Sequence, residues 1–191
     1  MNGVGEKISI VFLLLTVMNI SSSPYPFLLL LCYAVHEVGH LLFAKLVGAG
    51  IKDFKASLFR LNLRYDCASL TYLREALVCG GGIIFNLVFF VIFANPVFDF
   101  NDKFYYFALY NLSLGLMNLY PVSVLDGGEV MRCLIYRFSR VDRAQRINRC
   151  LSFVFAFFLW LISVYLQLVF ASDVSLFFIS VFLLYSLCFR A

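Results

Sequence analysis

The fold class this sequence predicts is an all-α polytopic membrane protein with about six transmembrane helices, and three observations predict it. Of its 191 residues, 63% are hydrophobic and only 14% are charged, whereas a soluble domain averages about 25% charged. The apolar residues gather into runs near the roughly 20 residues that cross a bilayer. Lysine and arginine collect in two of the intervening segments instead of being spread along the chain.

The first run, Ile8–Ile20, is short for a span and precedes Ser21-Ser22-Ser23-Pro24, so a cleaved signal peptide is an alternative to a retained helix. The immediate restart of apolar residues favours the helix. The second span, Phe27–Val47, is closed by Lys45 and Gly48. In Phe59-Arg60-Leu61-Asn62-Leu63-Arg64-Tyr65 apolar and polar residues alternate, which is a strand period. The stretch Ile51–Tyr72 therefore reads as a β-hairpin or small sheet at the membrane surface, with an interfacial loop as the alternative. The third span, Ala76–Ala94, is opened by Gly80-Gly81-Gly82, carries Asn86 and ends at Asn95-Pro96. Phe104–Tyr120 is the fourth, broken by Pro121. A basic loop with Arg132, Arg137, Arg140, Arg143, Arg146 and Arg149 leads to the fifth and sixth spans, Leu151–Phe170 and Val174–Phe189.

Orientation follows from the charges. Lys52, Lys55, Arg60, Arg64 and Arg74 occupy one loop and the six arginines another, while the loops on the other side hold only Lys103. By the positive-inside rule both basic loops and both termini are cytoplasmic. The whole chain, 1–191, is one membrane-embedded domain. Six cysteines without a C-x-x-C pair argue against a zinc ribbon or redox pair, and no basic stripe suggests a nucleic-acid partner.

Within the second span, His36-Glu37-Val38-Gly39-His40 reads H-E-x-x-H. At helical spacing both histidines project from one face a turn apart and can grip one metal ion, with Glu37 beside them as a base. These are the chain's two histidines, and ionisable groups inside a span point to a functional site. Zinc is the metal such a pair most often holds, and catalytic zinc takes three protein ligands and keeps a fourth position open. Depth nominates the third. With a rise of about 1.5 Å per residue, His40 lies within roughly 10 to 15 Å of the cytoplasmic surface, and the fourth span runs the same way, so Asp126 arrives at a similar level. Asp126-Gly127-Gly128 is also a turn signature, and Cys32, one turn before His36, is a rival ligand.

The two motifs, His36-Glu37-x-Gly39-His40-x-x-x-Ala44 and Asn118-Leu119-x-Pro121-x-x-x-Leu125-Asp126-Gly127-Gly128, resemble those of the site-2 proteases, zinc metalloproteases that cut other proteins within the membrane. Gly82-Ile83-Ile84-Phe85-Asn86 is similar to the family's glycine-proline-x-x-asparagine stretch, with Ile83 where proline is usual. The resemblance implies a catalytic core over about 27–131 with C-terminal helices at about 150–190. It implies Zn2+ on His36, His40 and Asp126, Glu37 activating water, and Asn86 and Asn118 holding the substrate backbone or the oxyanion. It also implies a transmembrane or membrane-tethered protein substrate, received as an added strand on the surface hairpin, with a regulatory protein released. The layout is similar to the branch that includes the sporulation sigma-factor processing protease, without that protein's CBS domain, and so to a bacterial cell membrane with the active-site end cytoplasmic. The six-arginine loop is a topology determinant or a contact for anionic lipid or a cytoplasmic or membrane regulator. The alternative function is a membrane metal transporter or metal-sensing protein using the same ligands, which would need the histidines but not Glu37.

Overall fold

The computed structural model of the chain describes residues 26–49, 51–57, 60–65, 71–95, 102–170 and 175–189. The first apolar run, Ile8–Ile20, and the turn at 171–173 lie outside them. Helix α1, Pro26–Leu46, is followed by strands β1, Ile51–Ser57, and β2, Arg60–Tyr65. Then come α2, Tyr72–Phe93, α3, Asp102–Leu119, α4, Asp126–Phe138, α5, Val141–Phe170, and α6, Ser175–Phe189. The strands form an antiparallel two-stranded sheet in which Phe54 pairs with Leu63 and Ser57 with Arg60, with an irregularity between Ile51 and Asp53.

Among the described residues, three helices are long and apolar enough to cross a membrane: Phe27–Leu46, Tyr72–Phe93 and Val141–Val169. Leu176–Cys188 is a shorter apolar helix. The expected fourth span, now α3, is not among the three, because Asn111, Asn118, Ser113 and three tyrosines dilute its hydropathy. The chain is a multi-pass membrane protein.

The basic loop expected at 132–149 is helical. It forms the second half of α4 and, after a break at Ser139-Arg140, the first nine residues of α5. Arginine is a good helix former, and a sequence reading that equates charge with loop misses a helix whose cationic end projects beyond the apolar part. At 30 residues, α5 is about 45 Å long against a hydrocarbon core of about 30 Å, so its arginine-bearing turns need not enter lipid. The glycines expected to open the third span instead lie well inside α2, which starts earlier, at Tyr72.

Helix α2 is central: it packs on α1, α3 and α4, while α5 pairs with α6. A Cβ on Gly39 of α1 would stand 2.5 Å from the Gly81 carbonyl oxygen of α2, and one on Gly81 would stand 2.8 Å from that of Gly39. The two backbones therefore touch, the close approach that small residues permit between helices in lipid. Further along α2, Phe89 and Phe93 pack on Phe107 of α3, joined by buried Cys32 of α1 and Leu114 of α3. The connection between α3 and α4 is anchored by fully buried Val122, which sits in a core with Ala156 of α5 and Ile179, Leu183 and Leu187 of α6.

Candidate metal centre

His36 and His40 are one helical turn apart on α1, and their rings meet edge to face with centroids 4.7 Å apart. Asp126 is the first residue of α4, where the positive end of the helix dipole favours a carboxylate. Its place is fixed by the 120–125 connection. Tyr120 Oη donates to the Phe155 carbonyl at 2.8 Å and the Ser123 amide donates to Ser152 Oγ at 2.9 Å. The next two residues must be glycine: a Cβ on Gly127 would strike the Leu119 carbonyl, and one on Gly128 that of Val122.

The three side chains converge on one point. His36 Nε2 lies 2.8 Å from Asp126 Oδ2, His40 Nε2 lies 3.2 Å from the same oxygen, and the two Nε2 atoms are 3.1 Å apart. Around a tetrahedral zinc, nitrogen and oxygen ligands at about 2.0–2.1 Å would be roughly 3.3 Å from one another, so the edges of this triangle fit. The proton inventory fits as well. His40 Nδ1 is 2.8 Å from the Val78 carbonyl, which can only accept, so Nδ1 carries the proton and a neutral His40 presents a lone pair at Nε2. The His40 lone pair, His36 Nε2 and a carboxylate oxygen face one another, and a cation at the centre is what all three can share. Two imidazoles and one carboxylate are a donor set that zinc takes with one position left open.

Helix α2 forms the floor of this site. A Cβ on Gly82 would stand 2.6 Å from His36 Cε1 and 2.6 Å from His40 Nε2, so both rings are in contact with its backbone. The sequence marked the glycine run but not this reason for it. Glu37 is half-buried, next to His36 in the chain. Fully buried Asn86 has its amide 3.2 Å from His36 Nδ1. Asn118 lies outside this cluster: its amide donates to the Leu114 carbonyl of its own helix at 3.0 Å. Cys32, the rival ligand, is fully buried against α3, where its sulfur accepts from Asn111 Nδ2 at 3.1 Å. It is not among the metal-binding group, in which the ligand atoms of His36, His40 and Asp126 all lie within 4.8 Å.

A further contact sets the rotation of α4. Arg132 Nη2 is 2.6 Å from Glu129 Oε2 and 3.1 Å from Glu75 Oε1 at the start of α2, and its guanidinium lies over the Tyr136 ring. Burial works against its charge, but Glu129 and Glu75 outweigh that and raise its pKa. The bridge ties the helix that supplies Asp126 to the helix beneath the histidines.

The model of Peptidase family M50 matches residues 95–162, about a third of the chain, including Asp126 but not the helix with the histidines. The fold is similar to that of the site-2 protease from Methanocaldococcus jannaschii, with a TM-score of 0.66, 21% sequence identity, and coverage of 94% of this chain and 86% of that one. A search of curated proteins finds no match. The likeness in fold extends over nearly the whole chain, well beyond the two motifs and the family match.

Proposed function

We propose that this chain, a relative of the site-2 proteases, is an intramembrane zinc endopeptidase that hydrolyses a peptide bond within or near the transmembrane segment of a membrane-bound substrate and so releases a regulatory protein. The observation that carries the reading is the convergence of His36 Nε2, His40 Nε2 and Asp126 Oδ2, with both histidines and Glu37 on a helix apolar enough to span lipid.

When bound, zinc polarises a carbonyl and lowers the pKa of water towards about 7. His36, His40 and Asp126 hold the ion, and the packed helices α1 and α2 keep their donors aimed at it. Glu37 takes the proton from the attacking water and returns it to the leaving amine. Asn118, at the end of α3, is assigned to the substrate backbone through the side-chain oxygen left over from its bond to Leu114.

A panel of single-span reporter proteins, reconstituted in vesicles with the purified chain, tests the reading. Cleavage inside a reporter's span that stops on adding a zinc chelator and returns with zinc is the expected result. Cleavage confined to soluble tails, or indifferent to the chelator, would contradict it.

A transmembrane helix hides its peptide bonds in its own hydrogen bonds, so it must be extended before attack. Among the described residues each strand of the hairpin pairs on one side, which leaves edges for strand addition. Phe54–Tyr65 is assigned to substrate binding on that ground. In a cysteine-free background, pairs with one cysteine in this stretch and one in a cleaved reporter should form disulfides at alternating positions. A cleavable reporter that never crosslinks here would remove the hairpin from the binding path.

A further inference from the structure

Val78, Gly82 and Asn86 follow one another at intervals of four on α2, so they form one stripe along that helix. Each meets the histidines. The Val78 carbonyl takes His40 Nδ1 at 2.8 Å, the Gly82 backbone lies under both rings, and the Asn86 amide lies 3.2 Å from His36 Nδ1. We infer that Asn86 is a positioning residue for the metal site: its side-chain carbonyl accepts the His36 Nδ1 proton and so fixes His36 with Nε2 free to bind zinc. The inference rests on the zinc endopeptidase reading.

The chemistry of the imidazole requires this. A neutral histidine has one ring proton, and His36 Nε2, 2.8 Å from Asp126 Oδ2 and 3.1 Å from His40 Nε2, must be unprotonated to act as a ligand. The proton is then on Nδ1 and needs an acceptor, as the outer nitrogens of metal-bound histidines regularly do. The Asn86 amide is the group that the fold places there. Its Nδ2 faces Nδ1 while its Oδ1 is buried with no partner. The two ends of an amide are assigned from their bonds and not from shape, and a half-turn brings the oxygen to Nδ1. The turn gives His36 its acceptor and leaves an NH2 donor in the place of the orphaned oxygen.

The position of Asn86 is held from behind. A Cβ on Gly115 of α3 would stand 3.3 Å from Asn86 Cβ and 3.5 Å from Leu87, so α3 packs tightly against this turn of α2. Fully buried, Asn86 exchanges nothing with solvent. It does for His36 what the Val78 carbonyl does for His40, and the stripe on α2 thereby sets both outer nitrogens.

The test is zinc affinity, read by competition with a chromogenic chelator on the full chain in detergent, with no substrate present. Asn86→Leu should bind zinc about 10- to 100-fold more weakly than wild type. Asn86→Asp, which keeps an acceptor for Nδ1, should stay close to wild type. If Asn86→Leu does not elute as folded protein, Asn86→Ser, too short to reach Nδ1, takes its place with the same expected loss. Wild-type affinity in the Leu or Ser variant, with cleavage lost, would overturn the inference and return Asn86 to the substrate. A wild-type chain that binds no zinc would overturn the endopeptidase reading, and this inference with it.

Discussion

Glu37→Gln should lower reporter cleavage by about 10²- to 10⁴-fold, the usual contribution of a general acid or base, while the variant retains zinc at the wild-type level. The substitution keeps shape and hydrogen-bonding capacity but removes the base. Glu37 projects from α1 next to His36 and is only half-buried, so the packing of α1 on α2 through Gly39 and Gly81 should be undisturbed. Zinc content and cleavage measured on the same preparation separate the readings. Zinc kept with cleavage lost is expected for a protease. If cleavage falls only in step with lost zinc, Glu37 belongs to the ligand set. A chain that moves or senses metal equally well with either residue would favour the transport reading.

Gly82→Ala should weaken zinc binding, although it adds only one methyl group to a helix. Alanine is normally better than glycine in a helix by about 1 kcal/mol, and at Gly80 the exchange should be tolerated, because a Cβ there meets nothing closer than Val130 at 3.7 Å. At Gly82 the same atom would press on both histidine rings at 2.6 Å. The rings cannot simply move aside, since Val78 and Asn86 hold their outer nitrogens. Overpacking of this kind costs about 1–3 kcal/mol, enough for a loss of roughly fivefold or more in zinc affinity. The comparison of Gly82→Ala with Gly80→Ala measures it, and equal affinities in the two would show that the α2 floor is not what shapes the site.

Much of this site could be read from the sequence because its donors are side chains with a fixed spacing. Two histidines a turn apart must share a helix face, and the direction of the spans brings Asp126 to their depth without any structure. What could not be read depends on contacts between helices. The Val78 carbonyl has no sequence signature, since every residue has one. The role of Gly82 appears only when α1 is laid against α2, and the sequence offered Asn86 to the substrate because it could not show the imidazole beside it. Cys32 is a rival on helical spacing, but it stands eight residues before His40, about 80° round the helix from it, and Asn111 Nδ2 donates to its sulfur from α3. The arginines of α4 and α5 read as a loop in the sequence because hydropathy reports where a chain meets lipid and not where a helix begins.

Zinc bound per chain, measured on detergent-purified protein for wild type, Asp126→Ala and Cys32→Ala, tests the central claim most directly. The geometry of His36, His40 and Asp126 predicts close to one zinc in wild type and in Cys32→Ala, and its loss from Asp126→Ala. A wild-type chain without zinc, or an Asp126→Ala variant that holds it as firmly as wild type, would contradict the ligand set and the hydrolytic function built on it.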